Sequence, residues 1–303
     1  MANAITNIKR TAYEAFMESL AQGTMKFAQL GRVLTNDTPT LQLYQSMSGG
    51  GFTAYTATGT SVDKDILSGK VSLTSAAYAK SERVRWVDLK DNPELAPQRA
   101  ASLANRAMVE INEIGFDGLE ALFTTNHPLT GAGAGQVGTK KVIAASLGYA
   151  QTLGNAGTQT NLFTTQLSRT SLELDIETLS KWRAVGDGAL LDLGADESNL
   201  VLVCDPQNTQ LAKSLRDSSV KDSNMQNNTL QGGFSIVDRA LSDADDYFLI
   251  DRSADVCGVW VREFPTITVS QTDNLLDVIF TAKFQASFWY SIEGHGIMGH
   301  NVA

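Results

Sequence analysis

Histidine and cysteine are scarce in this 303-residue sequence, at three and two copies, and their scarcity excludes most catalytic and metal chemistry. Cys204 and Cys257 lie far apart, each inside an apolar run (Leu200 to Cys204 and Val256 to Trp260). They form neither a disulfide framework nor a zinc knuckle, and read as buried thiols acting as small hydrophobes in a reducing compartment. Of His127, His295 and His300, the last two are close together, but Glu293 is the only acid beside them and H-E-x-x-H is absent. A catalytic zinc recruits a third ligand and a placed carboxylate, so no metal site is expected and the histidines read as terminal-loop or surface residues. G-x-S-x-G is absent, as is any Ser or Cys in a credible His/Asp context, so no catalytic residue is expected.

Positive charge is also in deficit. Lys and Arg total 24 against 33 Asp and Glu, a formal net charge of −9. Such a surface repels a phosphate backbone, which excludes sequence-specific reading of nucleic acid. A wall that merely encloses DNA and lets it slide is compatible with this balance. Long apolar runs are missing: no window approaches the roughly 20 residues of a membrane span. Met1 to Leu20 carries Lys9, Arg10, Glu14 and Glu18, so neither a signal peptide nor a membrane partner is expected. With 43% hydrophobic residues, the chain has material for one large domain or two modest ones.

Two local patterns imitate chemistry. Gly133-Ala134-Gly135-Gln136-Val137-Gly138 matches G-x-G-x-x-G, but a His-Pro-Leu-Thr turn precedes it, a strand-like segment follows, and no acid lies about 20 residues on. It is not a phosphate loop either, because Gly138 is followed by Thr-Lys. It reads as a loop, and no cofactor is expected. Asp243, Asp245 and Asp246 read as a solvated turn that lacks the spaced ligands of a calcium loop.

Along the chain, Ile8, Ala12, Phe16, Met17 and Leu20 predict an amphipathic helix between Asn7 and about Leu30, broken near Gly23. Leu41, Leu43 and Tyr44 predict a short extended piece. Residues 46–90 are rich in Ser, Thr and β-prone residues, from Phe52 and Tyr55 to Val84, Trp86 and Val87. They read as a long two-stranded ribbon turning between Asp63 and Gly69, and such a ribbon must find a surface to lie on. Pro97 to Phe123 carries the longest apolar stripe and predicts a spine helix roughly 40 Å long. A loop with one short strand at Val142 to Ala145 follows, then a second helix from Leu172 to Val185 closed by Gly186 and Gly188. Leu200 to Cys204 is a buried strand, and Asp205-Pro206 starts a helix. Strands at Phe234 to Val237, Tyr247 to Ile250 and Gly258 to Val261 complete an α/β unit. Pro265 to Tyr290 alternates as two strands around Asp273-Asn274.

This order of parts resembles the major capsid proteins of tailed bacteriophages, with the α+β HK97-like fold. A narrower resemblance lies in Met108-Val109-Glu110-Ile111-Asn112-Glu113-Ile114-Gly115-Phe116 through Phe123-Thr124-Thr125-Asn126-His127-Pro128, which is similar to the head subunits of phage Mu and its relatives. The resemblance implies an N-terminal arm (1–45), an E-loop (46–90), a P-domain with the spine helix (91–195), an A-domain (196–261) and P-domain return strands (262–303). It implies a structural subunit, not an enzyme, that self-assembles into hexamers and pentamers of an icosahedral shell around double-stranded DNA. Scaffold, portal and decoration proteins are the further partners it implies, with assembly in the host cytoplasm and residence in the virion.

Assembly contacts are then expected from Phe16 and Leu20 on the arm, from Phe52, Tyr55, Arg83, Arg85 and Trp86 on the ribbon, and from the Asp217 to Gly233 loop around ring axes. The family's scaffolding extension before the arm has no counterpart within these residues. Lys64, Lys70 and Lys80 read as solvated charges, and covalent cross-linking is not expected. An encapsulin-type nanocompartment, an α/β enzyme with a Gly-rich ligand loop and a phage tail component are the alternatives.

Overall fold

The computed structural model describes residues 2–46, 68–125, 142–143, 159–182, 190–218, 230–272, 276–290 and 295–302. Helix α1 (Ala2–Gln22) ends where the Gly23 amide donates to the Ser19 and Leu20 carbonyls. The chain continues not as the same helix but as a 3-10 turn at Lys26–Gln29, whose Phe27 amide donates to Asn112. Strands β1 (Arg32–Thr35), β2 (Thr40–Ser46), β3 (Ser68–Thr74) and β4 (Ala76–Arg85) follow, then helices α2 (Trp86–Asp91) and α3 (Leu95–Ala121). Pro97 sits in the first turn of α3, where a missing N–H costs nothing.

The later part comprises β5 (Leu162–Phe163), α4 (Arg169–Ser180), β6 (Leu200–Cys204), α5 (Thr209–Asp217), β7 (Ser235–Asp238), β8 (Tyr247–Asp251), β9 (Cys257–Gln271), β10 (Asp277–Tyr290) and β11 (Ile297–His300). Ser168 caps α4 in a reciprocal box with Ser171. Asp205 accepts from the Gln207 amide, and Pro206 leads a 3-10 turn into α5, as the Asp-Pro pair predicts.

These strands form two main sheets and a ribbon. The four-stranded sheet runs β1-β9-β10-β4, and the five-stranded sheet runs β5-β11-β8-β6-β7. Helices α1 and α3 cover one face of the first, where Ala12, Phe16, Ala100, Leu103 and Ala104 meet Val278, Phe280 and Ala282. The far half of α3 reaches the second sheet: Ile111, Phe116 and Leu119 share a core with Val201, Val203, Phe248 and Ile250. On the opposite face of that sheet, Leu202, Tyr247, Leu249 and Met298 pack with Leu172 and Leu179 of α4 and Ala212 and Leu215 of α5.

Several expectations are corrected. The ribbon pairs β2 with β3, from Thr40↔Thr74 to Ser46↔Ser68, so it begins before residue 46. Ser68 and Gly69 are already strand, and residues 63–67 of the expected turn lie outside the described residues. Strand β4 is not its second arm, because Ala76 to Arg85 pair with β10. Trp86 and Val87 are helical: the Trp86 amide turns back to the Leu276 carbonyl at 2.7 Å, ending the strand. Val142 and Ile143 form a bend in which their amides satisfy the Thr125 and Leu122 carbonyls beyond α3. Gly258 to Val261 pair with β1 and β10, and so belong to the four-stranded sheet. In their place the five-stranded sheet takes β11 between β5 and β8.

Candidate assembly surfaces

Phe16 is fully buried between α1, α3 and the sheet, and Leu20 packs partly on the same cluster. The expected arm anchors therefore face their own chain. Among the described residues, the large apolar groups that α1 leaves in solvent are Tyr13 and Met17, 54% and 45% exposed. The signal was available: the two are four residues apart, a second stripe beside Ile8, Ala12, Phe16 and Leu20. Met17 belongs to this second stripe and not to the buried one.

Exposed Arg83 forms an ion pair with the partly buried Asp277 at 3.7 Å, Arg85 is exposed at the start of α2, and Trp86 packs partly into the α1/α3 cluster. Around them, Val87 and Leu276 are 60% and 63% exposed, an apolar tip beside the end of β4 and the start of β10 that the sequence reading did not single out. Phe52 and Tyr55 lie outside the described residues, as do residues 219–229 of the expected ring-axis loop. His127, the 133–138 glycine loop, Lys64 and the Asp273-Asn274 turn also lie outside them.

The face of the four-stranded sheet opposite α1 and α3 is hydroxyl-rich. Lys283 pairs across to Thr266 and Ala79, and Thr281 to Thr268 and Ser81, with a Ser81–Thr281 hydroxyl bond of 2.9 Å. It stays largely exposed.

His300 is not a surface residue. Its ring is buried between Tyr247, stacked at 3.9 Å, and Phe163 at 5.2 Å. Nδ1 lies 3.0 Å from the Thr165 carbonyl and 3.2 Å from the Thr165 hydroxyl. Nε2 lies 3.0 Å from both Asp175 carboxylate oxygens. Burial pushes the Asp175 carboxyl up, while the His300 contact opposes that shift. His295 is buried beside Trp182 at 5.3 Å. Asp246 departs from the solvated-turn reading too: it is buried and accepts from the Val302 amide at 2.8 Å.

The two cysteines are buried and unpaired, as expected, and burial raises them to about 11 (Cys204) and about 12 (Cys257), far from thiolate chemistry. Among the described residues no group of three or more His, Cys, Asp or Glu is placed to hold a metal, and no helix is long and apolar enough to cross a membrane. The Asp175–His300 pair resembles a proton relay, but it is sealed from solvent and holds the β11 strand to α4.

No protein-family model matches the chain, and no curated protein matches it in sequence. Solved structures do. The virus-like particle from Pyrococcus furiosus is 10% identical, covering 96% of this chain and 98% of that one, with a TM-score of 0.51. The capsid of the native GTA particle is 15% identical over 92% and 91%, with a TM-score of 0.54. The mature capsid of bacteriophage PhiM1 is 10% identical over 91% and 86%, at 0.55. The chain has the α+β HK97-like capsid fold. The narrower likeness to Mu head subunits rests on the sequence segment alone.

Proposed function

We propose that this chain is the major head subunit of a tailed phage, assembling with copies of itself into a closed icosahedral shell around double-stranded DNA and catalysing no reaction. The observation that carries the reading is a likeness to capsid subunits that spans nine tenths or more of this chain. The −9 charge fits a container that does not grip its DNA.

In this reading α1 belongs to the arm and the β2–β3 ribbon is the E-loop. The four-stranded sheet with α3 is the P-domain, and the five-stranded unit is the A-domain. Ribbon, arm and ring contacts join neighbours, with Tyr13 and Met17 in the role first expected of Phe16 and Leu20. Scaffold, portal and decoration proteins are further partners, and assembly takes place in the host cytoplasm before the protein resides in the virion.

The virus-like particle likeness favours a second reading, an encapsulin-type nanocompartment. Electron microscopy of the purified chain, expressed with and without its neighbouring genes, tests both. Closed shells are expected; a monodisperse monomer or dimer under every condition overturns both readings. Shells that retain a cargo protein and no DNA favour the second.

A further inference from the structure

The chain enters the ribbon through β1, which pairs along the edge of β9, and residues 36–39, and leaves it at Ser75; side chains from one face of β9 and β10 tie both ends. Trp289 Nε1 donates to the Arg32 carbonyl at 3.2 Å, and Trp260 Nε1 to the Asn36 carbonyl at 3.2 Å. Arg262 Nε donates to the Asp37 carbonyl at 3.4 Å, and its Nη1 to the Gln285 amide oxygen at 3.0 Å. That same oxygen accepts from the Ser75 hydroxyl at 3.3 Å, which joins the exit of the ribbon to its entrance.

Both indoles are almost fully buried, packed with Leu34, Leu41 and Leu73. A buried indole N–H needs a partner, and here both partners are backbone carbonyls of one segment. The β9–β10 register shifts around Gln285, and such a bulge re-aims side chains out of the regular alternation. Gly258 leaves the room: a Cβ there would collide with the Trp289 indole and the Arg32 carbonyl. Past Asn36, whose side chain takes the Thr38 amide at 3.1 Å, the backbone pairing of the ribbon is between β2 and β3.

We propose that Trp260, Arg262, Gln285 and Trp289 clamp the root of the ribbon and so fix the direction in which it leaves the subunit toward a second copy. The proposal rests on reading the ribbon as an intersubunit contact. The leverage is large: β2 has seven residues, about 24 Å at the usual rise, so a tilt of roughly 10° at the root moves its far end by about 4 Å. That exceeds what a packed interface tolerates. These are positioning residues, and any bending falls beyond Asp37 on one side and Ser75 on the other.

The test pairs Arg262→Met with Gln285→Met, keeping the apolar stems and deleting the polar links, and uses Trp289→Phe as an independent variant that keeps an aromatic ring over Gly258. Hydrogen exchange of the amides from Val33 to Leu43 is read by mass spectrometry on unassembled subunit, and shells are read by electron microscopy. The expected result is exchange faster by about tenfold, the effect of losing roughly one net hydrogen bond's worth of local stability. A thermal midpoint close to wild type and irregular or open shells should accompany it. Unchanged exchange in both variants overturns the clamp, as do regular shells formed despite fast exchange. If the wild-type chain forms no shells at all, the shell reading fails, while the exchange measurement still decides whether the root is clamped.

Discussion

The two sheets solve opposite problems. Strands β6 and β8 are buried at every position, because helices and α3 close over both faces of the five-stranded sheet. In β9 from Pro265 onward and in β10 from Asp277 to Ala286 burial alternates, since over that stretch α1 and α3 cover only one face of the sheet. A strand buried on both faces must read as a continuous apolar run, whereas a half-covered one alternates. The first unit is thus complete in itself, and the second leaves a hydroxyl-rich face, an apolar tip and a ribbon for something else. On the proposed function, that is a division between a part that folds and a part that joins.

The sharpest way to break this division is to delete Gly59 to Lys70. The expected outcome is soluble, folded protein that forms no shells; normal particles by electron microscopy would show that the ribbon is not a joint. Next in size is His300→Ala, which takes from the buried Asp175 carboxyl its His300 contact, leaving Tyr247 beside it, and should cost about 3 kcal/mol in denaturant unfolding. A loss below about 1 kcal/mol, the scale of an exposed pair, would mean the pair is not sealed. The third sets neighbours against each other. Phe16→Ala should cost about 3 kcal/mol or more by emptying the α1–α3 cluster. Tyr13→Ala should cost under about 0.5 kcal/mol yet impair shell formation. Equal stability losses in the two variants would contradict the assignment of α1's faces.

The smallest effect concerns pH. Burial raises the Asp246 carboxyl, helped by Asp243, Glu120 and Asp245. A carboxyl whose folded value lies above its unfolded value contributes most to stability below the unfolded value, near 3.8, and that contribution is lost as pH rises through the folded value. Asp246→Asn keeps an oxygen for the Val302 amide and removes the titration. The stability difference between the two proteins should therefore shift toward wild type as pH falls from about 6 to about 4. Thermal midpoints that move in parallel would rule it out.

How legible these parts were depended on how locally each is determined. The α3 stripe, the Leu200 to Cys204 strand and the Asp205-Pro206 start are visible because period, run length and capping are local signals. Arg85-Trp86-Val87 reads as strand and folds partly as helix, because a single long-range bond from Trp86 to Leu276 turns the chain. Phe16 and Tyr13 are both aromatic, and only the neighbour that α3 supplies decides which is hidden. His300 looked superficial because glycines surround it; its partners Asp175, Thr165 and Tyr247 are remote in sequence, and no spacing rule connects them. The ribbon's pairing begins at Thr40 and sets Leu41 opposite Leu73 and Leu43 opposite Val71, partners about 30 residues apart that no local spacing rule connects.

The placement of β11 bears on how the molecule is made. Ile297 to His300 insert between β5 and β8, strands whose residues precede them by some 135 and 50 positions. A chain growing from its N-terminus therefore presents Leu162-Phe163 and Tyr247 to Asp251 to the cell with their shared middle partner still unsynthesised. Such nascent edges recruit other strands readily. Made after both of its neighbours, β11 is the keystone that closes two strand edges otherwise open to other partners.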